Sequence, residues 1–166
     1  MSGDPMSKMK TPEIKIREAV SEDLVSVLPL IERFVEFGPP AWRDQESMIR
    51  KTEDSISGVF QNLPVNGGVW IAEGQHGEAL GMIIVKIMKD YFTSKPYVHI
   101  SELVVDSGVE GRGLGSRLLE KAEEYARSRG LDRIALEVFS DNQSARKFYE
   151  KRGFVEEVCK YVRTLE

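Results

Sequence analysis

The sequence predicts an α+β domain in three layers: a mixed, mostly antiparallel sheet of six to seven strands flanked by about four helices. Three observations predict it. Short apolar or alternating runs recur at Ile14–Arg17, Gly68–Glu73, Ala79–Met88 and Tyr97–Val105, bounded by turn residues as strands are. Four longer stretches carry helical signals, either apolar residues at helical spacing or caps. From Tyr97 to Val138 the chain reads strand, glycine-rich turn, helix, strand, a unit that makes a parallel pair with a right-handed crossover.

Length and charge narrow the class. A chain of 166 residues fits one domain and buries roughly two-thirds of its unfolded surface. With 41% hydrophobic and 30% charged residues and no apolar run near the ~18 residues of a membrane span, a membrane protein is not expected. The 23 basic and 27 acidic residues leave a net charge of −4. The basic ones are dispersed rather than striped, so a nucleic-acid partner is not expected, and the balance leans toward a cationic small substrate. Cys159 is the single cysteine, which excludes an intrachain disulfide and a multi-cysteine metal site and fits a reducing, cytoplasmic compartment; it reads as a packing residue. Met1 to Thr11 has no apolar signal-peptide core, so residues 1–11 are expected as a disordered leader and 12–166 as the domain, with Met6 and Met9 as alternative starts.

Each element has its own signal. Ile14-Lys15-Ile16-Arg17 alternates as a half-buried strand does, and Ser21-Glu22-Asp23 then offers a cap with acids in the first turn. A first helix is expected over about Glu22–Phe37, with Pro29 kinking or breaking it and Gly38-Pro39-Pro40 ending it. A second amphipathic helix is expected from Trp42 to about Asn62, burying Met48, Ile49, Ile56, Val59 and Phe60; Trp42 and Phe60 are alternatively cleft residues. Gly68–Glu73 and Ala79–Met88 should pair antiparallel across the polar turn Gly74–Glu78. Tyr97–Val105 follows the loop Asp90–Pro96 and delivers the glycine turn. From Leu114 a helix repeats Leu118, Leu119, Ala122, Tyr125 and Ala126 and is capped by Gly130. Arg133–Val138 is a strand, Asp141-Asn142 starts a short helix that Gly153 caps, and Phe154–Leu165 supplies one or two last strands.

Everything converges on Val104 to Gly115. Four glycines in eight residues, Gly108 to Gly115, allow positive φ and a close approach to the main chain. A helix start beyond them leaves unpaired N–H groups and about half a positive charge, a site for a polyphosphate. Tightness alone also produces glycine-rich turns, so the downstream sequence has to arbitrate.

That downstream sequence is Asn142-Gln143-Ser144-Ala145-Arg146-Lys147-Phe148-Tyr149-Glu150-Lys151-Arg152-Gly153-Phe154. Together with Glu110-Gly111-Arg112-Gly113-Leu114-Gly115 in this order, it resembles the GNAT family of N-acetyltransferases. The first block is similar to the family's acetyl-coenzyme A turn, Q/R-x-x-G-x-G/A, and the second to its N-x-x-A-x-x-F/L-Y-x-x-x-G-F ending. The likeness is close over about Ser101–Phe154 and looser upstream. It implies a GNAT-like acyltransferase fold, acetyl-coenzyme A as cosubstrate, no metal, and an amine acceptor that is a small molecule or a peptide. Glu110 departs from the pattern. Main-chain amides are expected to hold the pyrophosphate, so an acid there need not abolish binding, and Arg112 and Arg117 are candidates to offset it.

The resemblance also assigns candidate roles. The cradle is Val109 to Ser116 by its amides, counting Glu110, Gly111, Arg112, Gly113, Leu114, Gly115 and Ser116. The acyl carbonyl and pantetheine arm are implied to bind backbone at Leu103, Val104 and Val105, where the family's strand carries a bulge that frees amides. Tyr149 matches the family's acid, which protonates the departing thiolate; Asn142 matches a pantetheine contact and is equally a helix cap. For the base, Glu102 comes first, with His99 and Glu137 behind it. Glu102 and His99 stand at odd spacing and point to opposite faces unless a bulge intervenes. The acceptor cleft is expected between Phe37–Phe60 and the Lys89–Pro96 loop, with Trp42, Tyr91 and Phe92 against the carbon skeleton. Two rivals remain: a dinucleotide oxidoreductase, which the glycine spacing fails, and a non-catalytic acetyl-coenzyme A-binding module, hinted at by Glu110 alone. A homodimer formed through Val155–Leu165 is open.

Overall fold

The alternating residues at the start of the domain become β1 (Lys15–Glu18), the edge strand of a five-stranded sheet, in a computed structural model that describes residues 14–165. β1 pairs antiparallel with β2 (Gly67–Glu73), β2 with β3 (Ala79–Lys89) and β3 with β4 (Pro96–Val105), while β4 runs parallel to β5 (Ile134–Leu136). Strand order therefore follows chain order. The leader expected at Met1–Thr11 lies outside the described residues.

Pro29 breaks the first helical run. Its ring lacks an N–H and crowds the preceding turn, and the stretch appears as a 3-10 turn at Ser21–Asp23, a short α1 (Leu24–Val27) and a 3-10 segment at Leu28–Val35. The second helix, α2 (Gln45–Gln61), starts after Trp42 because Asp44 is extended and its carboxylate accepts the Ser47 N–H at 2.8 Å. These elements cover one face of the sheet, where Val27, Ile31, Ile56 and Phe60 pack on Ile71, Met82, Ile84 and Val104. Phe60, 1% exposed, is a core residue and not a cleft residue.

α3 (Leu114–Ser128) covers the other face, laying Leu118, Leu119, Ala122 and Ala126 on Ile83, Val85, Val98 and Ile100. β3 is buried on both faces, which is why its sequence is a continuous apolar run rather than an alternating one. Gly130, at φ 68, ends α3: its N–H bonds the Arg127 carbonyl at 3.0 Å and the Leu131 N–H bonds that of Ala126 at 2.9 Å. Arg17 ties the edge together, its guanidinium 2.7 and 2.8 Å from the Asp23 carboxylate and 2.8 Å from that of Glu73. α4 (Gln143–Glu150) begins at Asn142, whose side-chain oxygen accepts the Ala145 N–H at 3.1 Å.

Two expectations fail. The sheet has five strands instead of six to seven, because Phe154–Leu165 forms no strand among the described residues. Neither parity of that segment is consistently apolar: Val155, Cys159 and Tyr161 alternate with Glu157 and Arg163, and Val158 and Val162 with Glu156 and Lys160. No register therefore buries a whole face. Val155, Val158, Tyr161 and Leu165 are all more than 80% or at 80% exposed. The Lys89–Pro96 loop likewise does not reach the cleft. It joins β3 to the start of β4, and from Pro96 to Val105 the strand extends about 30 Å, so Tyr91 and Phe92, each 90% exposed, lie at the end remote from the glycine turn.

Candidate active site

The cradle begins where β4 ends. Asp106 accepts the Gly108 N–H at 2.8 Å and shapes a 3-10 turn at Ser107–Val109, after which Gly111 and Gly113 take φ of 74 and 76. Those angles suit glycine, and a Cβ built at either position would meet nothing within 4 Å, so the concave side of the turn is open. Gly113 caps α3 without a side chain to occupy the helix start. Among the described residues, the backbone N–H groups from Gly111 through Ser116 make no hydrogen bond. Six consecutive free donors at the positive end of a helix fit a pyrophosphate. Gly115 serves packing instead: a Cβ there would stand 3.3 Å from the Phe148 ring, so its absence lets α4 close on α3. The Ser116 hydroxyl is taken by the Arg152 guanidinium, which also lies 3.7 Å over the Phe148 ring.

Glu110 has a partner that neither nearby arginine supplies. It pairs with Arg33, which also pairs with Glu36 and donates its Nε–H to the Val105 carbonyl at 3.2 Å. One guanidinium thus joins the Leu28–Val35 segment, the end of β4 and the cradle. Arg117 is occupied elsewhere, donating to the Ile14 carbonyl at 2.9 Å, and Arg112 makes no ion pair among the described residues.

β4 carries a bulge. Ile84 stands opposite Glu102 and Val85 opposite Ile100, so Ser101 is the extra residue. Parity therefore flips between His99 and Glu102, and both look out on the same face as Ile84 and Lys86. On its other side, β4 pairs with β5 only from Val98–Ile134 to Ile100–Leu136. From Ser101 to Val105 the two chains part, leaving that edge of Leu103, Val104 and Val105 without a strand partner. The side chains of Leu103 and Val105 pack toward α3 and that of Val104 toward α2.

Burial pushes the Glu102 carboxyl up to about 7, against the opposing pull of the Lys86 ammonium. Burial, and then the Glu102 charge, push the Tyr149 phenol up to about 12, so the two groups feel each other and the phenol keeps its proton at neutral pH. The Tyr149 ring sits edge-on to Phe148 at 5.1 Å and to Phe154 at 5.4 Å. His99 is held below its usual value by burial and by Lys86, with exposed Glu137 acting the other way. Asn142 spends its oxygen on the α4 cap, which leaves its amide N–H groups as donors.

Several residues here carry no motif. Lys86 had one visible signal, the only charge inside the apolar run Met82–Met88. Arg33 had none, and neither did the cluster in which Phe37 stacks on Phe139 while Arg43 lies over Trp42 and Phe139.

The bulged strand β4 thus feeds a bare helix start and parts from its parallel partner beyond Ile100. The chain belongs to the acetyltransferase (GNAT) family, whose model matches residues 30–154. The aminoalkylphosphonate N-acetyltransferase of Salmonella typhimurium is 28% identical over 93% of this chain and 93% of its own. An uncharacterized N-acetyltransferase of Bacillus subtilis, YhfO, is 27% identical over 87% of this chain and 91% of its own, whereas two other curated relatives match locally, this chain spanning 28% and 31% of their lengths. Among solved structures, a putative acetyl transferase from Pyrococcus furiosus superposes with a TM-score of 0.74 at 25% identity, covering 92% of this chain and all of that one. The aminoglycoside N-acetyltransferase AAC(6')-Iy in complex with CoA shares the fold, with a TM-score of 0.69 at 19% identity over 94% of this chain and 97% of that one.

The Arg33 bridge makes a prediction. Arg33→Ala leaves Glu110 uncompensated beside the cradle and should weaken acetyl-coenzyme A binding by roughly fivefold, since a pair this exposed is worth about 1 kcal/mol at most. Adding Glu110→Gln should restore the affinity. Calorimetry on the three proteins decides, and an unchanged dissociation constant in Arg33→Ala would count against the bridge.

Proposed function

We propose that the protein transfers the acetyl group of acetyl-coenzyme A to a primary amine by direct attack. The thioester supplies an activated acyl carbon; the chain's own residues do the rest. The amides of Gly111 to Ser116 hold the pyrophosphate, with Glu110 and Arg112 at the rim. The unpaired edge at Leu103, Val104 and Val105 aligns the arm and polarises the acyl carbonyl, and Asn142 steadies the arm. Glu102 accepts a proton from the incoming ammonium, directly or through water, and Tyr149 donates its phenolic proton to the sulfur as the C–S bond breaks and the C–N bond forms. No metal is assigned a role. The acceptor is a small amine, with a protein N-terminus as the alternative, and a reducing cytoplasmic setting suits both the thioester and lone Cys159.

The observation that carries this reading is the run of free amides at the end of the bulged strand whose Glu102 carboxyl is held up to about 7 by burial. A non-catalytic binding module loses its one support, since Glu110 is paired with Arg33. Titration with acetyl-coenzyme A, free coenzyme A and NAD, with a parallel melt, tests it: acetyl-coenzyme A at 100 times its dissociation constant should stabilise by about 2.7 kcal/mol, with no response to NAD. NAD binding alone would overturn the reading.

A further inference from the structure

Arg43 carries a charge that nothing among the described residues answers. Its guanidinium carbon lies 4.4 Å from the Trp42 ring centroid and 5.2 Å from that of Phe139, and Phe37 backs Phe139 at 5.2 Å with the rings 25° apart. Its Nε is buried without a hydrogen-bond partner. Asp44 caps α2 through Ser47 and faces Arg50, Glu36 pairs with Arg33, and Glu137 and Asp141, two residues either side of Phe139, make no ion pair with Arg43 among the described residues. Aromatic faces hold and orient a guanidinium but do not neutralise it. What they leave open is its planar edge, the fork that matches a carboxylate, phosphate or phosphonate.

The position gives that edge a purpose. Phe139 follows β5 where the chain leaves β4, and Phe37 follows the segment from which Arg33 reaches Val105. Arg43 thus packs against the chain just beyond β5, past the last residues that pair with β4, and next to the segment that covers the face to which Glu102 points. The phosphate cradle belongs instead to the start of α3. Lys86 adds a second cation on the Glu102 face. Lys86 faces the Glu102 carboxyl there, which leaves Arg43 as the cation without an ion-pair partner among the described residues.

We propose that Arg43, clamped by Trp42 and Phe139, is the anion anchor of the acceptor site, so that the acceptor is a primary amine that also carries a phosphonate, phosphate or carboxylate. The proposal rests on the acetyl-transfer reading and replaces the cationic acceptor that net charge suggests.

Wild-type protein, Arg43→Gln and Arg43→Lys are titrated calorimetrically, with and without saturating coenzyme A, against 2-aminoethylphosphonate, β-alanine, ethylamine and 1,3-diaminopropane. Wild type should bind the anionic amines at least tenfold more tightly than ethylamine. Arg43→Gln should erase that preference, Arg43→Lys should keep part of it, and coenzyme A affinity should be the same in all three, which also reports that the variants fold. In turnover the loss should fall on KM for the anionic amines far more than on kcat. Tighter binding of the diamine, no preference in wild type, or an undiminished preference in Arg43→Gln would each overturn the anchor. A weaker coenzyme A affinity in Arg43→Gln would assign the arginine to the cofactor's phosphates and overturn it as well. Failure of coenzyme A to bind any of the proteins would strike the acetyl-transfer reading, whereas the phosphonate titration without coenzyme A judges the anchor separately.

Discussion

Glu102→Gln is expected to lower kcat/KM by about 10²–10⁴-fold, the usual contribution of a positioned base, and to remove the acidic limb of the pH–rate profile. The carboxyl stands near 7 because it is buried, so in the wild type the rate should climb as pH rises through about 7 and the proton leaves. The amide cannot titrate, and in its place the profile should be flat there. Stability moves the opposite way with pH. A carboxyl whose folded pKa is raised contributes stability that is fully present below its unfolded value near 4.5 and is lost as pH rises through about 7. Above that, the folded state carries a half-buried charge that the unfolded chain hydrates freely. The Gln variant should therefore be more stable than wild type at pH 8, by about 2 kcal/mol after allowance for solvent reaching the group, and should lose the advantage by pH 4. Kinetics from pH 5.5 to 9 and urea melts at both ends measure the two effects. An acidic limb that survives in Glu102→Gln moves the base to His99, which the bulge puts on the same face, or to water.

Tyr149→Phe should lower kcat by about 10²–10³-fold while leaving the affinity for acetyl-coenzyme A within twofold or so, since an acid that acts on the leaving sulfur matters only as the C–S bond breaks. Folding should be almost indifferent. The hydroxyl makes no hydrogen bond among the described residues, and the ring contacts with Phe148 and Phe154 survive the change. Because the phenol is held up to about 12, no limb from its ionisation should appear below pH 10. An acetyl thioester of a more acidic thiol, whose thiolate leaves without help, should narrow the gap between variant and wild type. Equal rates for the two proteins on acetyl-coenzyme A would mean that solvent supplies the proton.

The glycine turn and the helix start beyond it were legible because their causes are local. Gly111 and Gly113 need positive φ within the turn itself, the amides of α3 are free because they are first in the helix, and Gly130 closes that helix with two bonds between Ala126 and Leu131. Periodicity likewise announced α2, α3 and the buried strands, since a helix or strand must turn its apolar side to the core wherever the core lies. Pro29 broke the first helix for a reason contained in its own ring.

Only the tertiary structure decided the rest. Phe154–Leu165 contains strand-forming residues, yet strand formation needs a consistent register as well as a partner edge, and no register of this segment buries a whole face. Whether His99 and Glu102 share a face turned on one residue, Ser101, slipping out of the ladder with β3, a choice made by packing across two strands. Arg33 neutralises Glu110 from 77 positions away, Arg43 finds Phe139 just beyond β5, and Glu102 stands at about 7 because of what buries it. Backbone angles and helix starts are set by neighbours in sequence, so the sequence alone determined the shape of the glycine turn and the free amides at the start of α3. Charge, pairing and protonation are set by neighbours in space, so the Glu110–Arg33 pair, the raised Glu102 carboxyl and the setting of Arg43 were decided only when the chain closed on itself.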